Sequence, residues 1–377
     1  MIYFDNNATT PIAPDVREAV RPFLNELYAN PSSPYGFARK TSVAVATARE
    51  QVATLVGVRP AAIIFTSGGT ESINTAFHAA RALRPERRHI VVSTVEHSAT
   101  LACARRAEEA GYRVTHVPVD EDGRLDMEAY EASLTPDTAL ASFMAANNET
   151  GVLFPVTEMA AQAEERNIFF HCDATQVAGK IPFGVDQRGM TFVSLSGHKL
   201  HAPKGVGALV VDPTLNAPPL LAGGDQEGGR RAGTENIIGI VGFGAAAELA
   251  HNAPALFEQS VRPLRDELER RVSDAVDRVR MAGATAPRLP NTSMLLFADA
   301  PSEALLARLD MLGFCCSSGS ACTSGAAEPS HVLAAMRIPP EYALGAVRIS
   351  FSRYNRPDEV NAFIKEIGTL VNSLRQT

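Results

Sequence analysis

Residues 61–83 read AAIIFTSGGTESINTAFHAARAL, and this stretch decides the fold. AAIIF (61–65) is an unbroken apolar run, the pattern of a strand buried on both faces. Gly and Ser in TSGGTES (66–72) form a turn, and ESINTAFHAARAL (71–83) returns to helical spacing. The strand–turn–helix pattern then recurs. Strands are expected at 89–94, 113–120, 138–147, 168–174, 192–196 and 207–212, and helices at 98–111, 127–134 and 156–167. Apolar strands alternating with helices predict an α/β fold, with a mostly parallel sheet of seven strands covered on both sides.

Beyond residue 212 the texture changes. Residues 220–236, LLAGGDQEGGRRAGTEN, form a polar Gly-rich loop, and a long helical stretch is expected over about 237–280. Shorter elements follow: strands at 293–299, 314–318 and 346–352, and helices at 302–312, 330–336 and 357–375. This order predicts a smaller α+β domain. The expected division is 13–255 for the large domain, with 1–12 and 256–377 forming the small one. The stretch 317–328, rich in Ser, Gly and Ala, is the expected lid.

Composition narrows the function. The net charge of −7 disfavours a nucleic-acid partner, because phosphate binding needs a basic surface. The N-terminus MIYFDNNATTP has neither the basic nor the apolar region of a secretory signal, and no apolar run is long enough to span a membrane. The five cysteines, Cys103, Cys172, Cys315, Cys316 and Cys322, are sparse and odd in number, which suggests free thiols in a reducing, cytoplasmic setting. Burial is expected for Cys103, Cys315 and Cys316. No zinc-binding spacing occurs, so no resident metal is expected. The only lysines are Lys40, Lys180, Lys199, Lys204 and Lys365, a short list of candidate reactive amines.

Polar residues cluster where strands end. TSGGTES presents free backbone N–H groups at a helix start, which makes it an anion cradle; the alternative is a plain turn capped by Thr70. Asp173 in HCDATQ (171–176) ends a buried strand, where open α/β sheets bind ligands, and a buried carboxylate needs a partner. Lys199 in SLSGHKLHAPKG (194–205) follows another strand end, beside His198 and Ser196. That setting suits a Schiff-base amine better than the turn around Lys204 does. His97 follows a third strand and could stack on an aromatic cofactor and move protons. Asn147 and Asn148 follow a fourth. Cys322 in SSGSACTSG (317–325) sits in a small-residue loop that would give a thiol access.

Taken together, DNNATT (5–10), NPSSPYGF (30–37), FTSGGTES (65–72), VEHSA (95–99), NNETG (147–151), GHKLHAPKGVG (197–207), GGRRAGTEN (228–236), SSGSACTSG (317–325), EPSHVL (328–333) and RISFSRYN (348–355) resemble the NifS/IscS cysteine desulfurases. These belong to the class V aminotransferase branch of the fold-type I enzymes that use pyridoxal 5′-phosphate (PLP). The resemblance implies that Lys199 bonds PLP as a Schiff base. Asp173 would pair with the ring nitrogen, Gln176 would reach the ring hydroxyl, and His97 would stack on the ring. Gly69, Thr70, Ser196 and His198 would hold the phosphate, with Thr234 reaching the phosphate of a neighbouring subunit in a homodimer. Asn148 and Arg348 would hold the carboxylate of the L-cysteine substrate.

In the reaction implied, Lys199 removes the α-proton and Cys322 takes the sulfur as a persulfide, leaving L-alanine. The persulfide would supply an iron–sulfur scaffold or another sulfur-acceptor protein, and Cys322 could then be a transient iron–sulfur ligand. The short C-terminus is similar to the nitrogen-fixation type rather than the housekeeping type, whose longer tail docks a scaffold. Alternatives are a class V aminotransferase, a selenocysteine lyase or a non-catalytic assembly component; the ACTSG loop favours the desulfurase.

Overall fold

The computed structural model describes residues 1–185, 189–212, 214–318 and 329–376. The candidate sulfur acceptor Cys322 lies outside the described residues.

Strand β1 (Ile2–Tyr3) comes first. The large sheet then takes β2 (Ile63–Thr66), β3 (His89–Ser93), β4 (Arg113–Val117), β5 (Thr138–Met144), β6 (Phe169–Asp173), β7 (Met190–Ser196) and β8 (Gly207–Val211). Their order is β2-β8-β7-β6-β5-β3-β4. Pairing is parallel throughout β7-β6-β5-β3-β4, whereas β8 runs antiparallel to both β2 and β7. The seven-stranded, mostly parallel sheet expected from sequence is present. The antiparallel strand has a local cause: only residues 197–206 separate β7 from β8, too few for a crossover that returns parallel.

Alternation of side chains sends each strand's residues to opposite faces. Ile63, Phe65, Val91, Ala141, Phe143, Val193 and Leu195 join the core on one face. Ile64, Ile90, Val92, Leu140, Phe192 and Leu209 join the core on the other, beneath the helices Gly69–Leu83 and Ser98–Glu109. Each buried Val, Ile, Leu or Phe among them contributes about 1.5–3 kcal/mol, so both faces fix the sheet, and the sheet fixes its polar rim.

Strands β9 (Val279–Met281), β10 (Thr292–Phe297) and β12 (Ala346–Ser350) form an antiparallel sheet, while β1 pairs in parallel with β11 (Phe314–Cys315). A separate core joins Phe4, Phe257, Leu268, Leu295, Phe351 and Phe363. The long helical stretch expected over 237–280 is broken. Helix Ile237–His251 ends at Asn252, and the chain resumes helically at Pro254 and stops at Ala275. A proline one residue past a break disfavours continuation of the helix through it. Helices Pro14–Asn25 and Gly36–Val56 complete the fold, both packing on Ile237–His251.

Candidate active site

The anion cradle is built by close packing. Gly68 takes φ +153°, a conformation that favours glycine, and stands at the N-cap of helix Gly69–Leu83. The cap position therefore belongs to Gly68 rather than Thr70, which is exposed in the first turn. A Cβ on Gly207 would lie 2.6 Å from Gly68 Cα, so β8 presses against the turn at a distance only glycine permits. A Cβ on Gly69 would stand 3.2 Å from Thr175 Oγ1 and 3.6 Å from the Ser196 Cβ. The first N–H groups of the helix, the Thr175 hydroxyl and Ser196 thus converge. First-turn N–H groups have no acceptor within their own helix and carry the positive end of its dipole.

Lys199 sits on the short helical turn that follows β7. Its Nζ donates to Asn7 O and Ala8 O, each at 2.6 Å. Burial, reinforced by the Arg348 cation, lowers its pKa to about 8, against opposing pulls from Asp173 and Asp5. Of the other lysines, Lys40, Lys204 and Lys365 are exposed. The fifth, Lys180, is buried.

Asp173 ends β6, 7% exposed, and accepts from Thr175 N at 3.0 Å. His97 caps helix Ser98–Glu109, its Nδ1 accepting from Ala99 N. Burial holds the imidazole below its usual pKa, with Asp173 opposing and Lys199 and His331 adding to the fall. A neutral ring is suited to stacking and to proton transfer. His198 contacts Thr9 Oγ1 at 3.1 Å, and burial lowers its pKa to about 4. Asn147 braces the rim: its Oδ1 accepts from Glu149 N and Thr150 N, and its Nδ2 donates to Val95 O.

Arg348 projects from β12 and is 3% exposed. It donates from Nη2 to Asp5 Oδ1 at 2.6 Å and from Nη1 to Asn148 O at 3.1 Å, while its buried Nε has no partner among the described residues. The Asn148 contact with Arg348 is thus through the backbone. Gln176 donates to Asn7 O and accepts from Lys180. Thr234 is exposed and lines a cavity of about 230 Å³ with Thr66, Ser67, Gly205, Arg231 and Glu235, at the mouth of the cradle turn.

Two participants escaped the sequence reading. Asp5 lies in DNNATT, yet its pairing with Arg348 spans 343 positions. Lys180 lies four residues after Gln176, a spacing that places two side chains on one side of a helical turn. Cys103 is buried as expected, whereas Cys315, which ends the two-residue strand β11, and Cys316, which follows it, are only half-buried. Among the described residues no cluster of His, Cys, Asp and Glu could hold a metal, and no helix is long and apolar enough to cross a membrane.

An amine lowered towards neutrality, a buried carboxylate, a neutral imidazole and an anion cradle therefore surround one rim. These are the donor types a phosphorylated pyridine aldehyde requires. Comparison with known proteins points the same way. Residues 2–363 match the family model Aminotransferase class-V. A cysteine desulfurase of Klebsiella pneumoniae is 48% identical over 376 residues, 99% of this chain and 94% of that protein. A solved NifS-like protein superposes with a TM-score of 0.93 at 35% identity, covering 99% of both chains. SspA, solved in complex with cysteine, gives 0.83 at 31% identity over 94% of this chain and all of its own. With its family signature spanning both cores and the amine site between them, the chain belongs to the class V aminotransferases, enzymes whose relatives of this length and similarity are named cysteine desulfurases.

Proposed function

We propose that this protein is a PLP-dependent cysteine desulfurase, converting L-cysteine to L-alanine and storing the sulfur as a persulfide on Cys322. The carrying observation is the Lys199 amine, brought near pH 8 beside Asp173, His97 and Arg348. Bound PLP supplies an electron sink for charge that develops at the substrate α-carbon.

Lys199 would hold the cofactor through its amine and would take the substrate α-proton at Nζ. Asp173 would serve the ring nitrogen, Gln176 the ring hydroxyl, and His97 the ring face, where it would also move protons. Gly69, Thr70, Ser196 and His198 would hold the phosphate, with Thr234 serving it across a homodimer. Arg348 and Asn148 would bind the substrate carboxylate; the Arg348 Nε, without a partner among the described residues, supports this role, as a buried donor without an acceptor is costly. The Cys322 thiolate attacks the substrate sulfur. The new S–S bond forms as the C–S bond breaks, and the electron pair passes to the carbon, which is protonated. L-cysteine and a thiol give L-alanine and a persulfide, so no external oxidant is consumed.

In this reading the protein is a cytoplasmic homodimer that would deliver sulfur to an iron–sulfur scaffold or another acceptor protein. Residues 13–255 would form its cofactor-binding domain, and 1–12 with 256–377 its small domain. A Cys322→Ala variant tests the chemistry: it should keep the yellow cofactor band yet form no alanine from cysteine. Sulfide release at the wild-type rate would show that Cys322 is not the acceptor.

A further inference from the structure

Lys180 is 4% exposed, yet no carboxylate pairs with it among the described residues. A buried cation without a counter-charge is expensive. Its neighbours make matters worse: after burial itself, the charges of Lys199 and Arg348 press its pKa down to about 7. Packing alone would be served better by an apolar side chain of the same length. The hydrogen bond it makes is to Gln176 Oε1, at 2.8 Å.

That bond dictates an orientation. Lys180 donates to the oxygen end of the Gln176 amide, as an ammonium or as a neutral amine. The amide's other end donates from Nε2 to Asn7 O at 3.1 Å, and a carbonyl only accepts. The same Asn7 O receives Lys199 Nζ at 2.6 Å. Gln176 is bracketed at both ends and cannot rotate its amide without losing one partner. One of its two N–H groups goes to Asn7 O, and the second remains available to the site. Lys180 and Lys199 also line one narrow cavity with Asn6 and Arg353, so the two amines belong to a single polar cluster.

We propose that Lys180 is a positioning residue: it pins the Gln176 amide as a hydrogen-bond donor towards the cofactor ring. This inference rests on the PLP reading given above. Without Lys180 the carbonyl end is left buried and unpaired, and the amide turns to find another donor.

The test uses PLP-loaded protein, reading the PLP dissociation constant and the absorbance band of the resting enzyme, neither of which requires turnover. Lys180→Met is expected to weaken PLP retention about tenfold, the worth of one charge-assisted hydrogen bond, and to shift the band. Gln176→Ala should do the same, and the double variant should lose no more than either alone, because one acts through the other. Gln176→Glu keeps an acceptor for Lys180 while deleting the donor. It should reproduce the shifted band. Retention within twofold of wild type in Lys180→Met, or additive losses in the double variant, overturns the proposal. Should Lys180→Met fail to fold, Lys180→Arg decides: it keeps a donor for the Gln176 oxygen and should keep the wild-type band and retention, and a shifted band overturns the proposal. A wild-type chain that holds no PLP overturns the cofactor reading and this inference with it. A wild type that holds PLP beside an unaltered Lys180→Met overturns this inference alone.

Discussion

Exchanging Arg348 for Gln should raise the pKa of Lys199 and slow its capture of PLP. Lys199 stands at about 8 rather than 10.5, first through burial and next through the Arg348 cation. At pH 7.5 an amine of that pKa is about a quarter neutral, while an ordinary lysine is neutral roughly once in a thousand molecules. The site thus holds on the order of 200 times more of the only form that attacks an aldehyde. Removing Arg348 deletes a repelling cation and releases Asp5 from its 2.6 Å ion pair, so both changes favour the ammonium. A rise of about one unit leaves roughly 3% neutral amine at pH 7.5, close to a tenfold loss. The assay mixes apo protein with PLP from pH 7 to 10, above the titration of the phosphate, and follows the rate of absorbance change. Wild type should show a midpoint near 8 and Arg348→Gln one about a unit higher. An unchanged or lower midpoint in the variant, or a wild-type midpoint near 10, refutes the reasoning. The same shift has a stability consequence. Between the folded value of about 8 and the unfolded 10.5, the unfolded chain binds more protons at this site. The penalty for burying Lys199 is therefore complete below that window and disappears as pH rises through it.

Two further substitutions probe the scaffold. Gly207→Ala places a Cβ 2.5 Å from Leu195 O and 2.6 Å from Gly68 Cα, backbone atoms that cannot swing aside. It should cost about 1–3 kcal/mol in denaturant unfolding and weaken PLP retention through the displaced cradle turn; unaltered retention would separate that turn from phosphate binding. Glu227 accepts from both terminal nitrogens of Arg49 and from Phe65 N, tying the loop that carries Thr234 to β2. Glu227→Ala should cost about 3–5 kcal/mol, since the Arg49 guanidinium loses its counter-charge, and a denaturant midpoint equal to wild type would contradict this.

The apolar strands were legible because burial on both faces leaves an unbroken signature, as in AAIIF and IFFHC. The rim was legible because polar residues at the ends of such strands, Asp173 and Lys199 among them, have no packing role to explain them. Helix Gly36–Val56 was passed over: its Gly start and recurrent Val and Thr are weak helix formers, and its stability comes from packing on Ile237–His251. The break at Asn252 was hidden inside a helical pattern that persists on either side. The partners of Asp5 and Lys180 are not legible in the sequence for another reason. Whether a charge is buried, and beside what, depends on contacts between distant segments, as with Asp5 and Arg348.

In the proposed reaction sulfur leaves cysteine for a thiol of this chain. The direct measurement is one equivalent of L-cysteine added to PLP-loaded protein without other thiols, followed by alkylation and mass mapping of persulfides beside quantitation of alanine. One alanine is expected per persulfide, with the extra sulfur on the peptide containing Cys322 and absent from a Cys322→Ala variant. Alanine without persulfide, or sulfur carried by Cys103, Cys172, Cys315 or Cys316 instead, would contradict it.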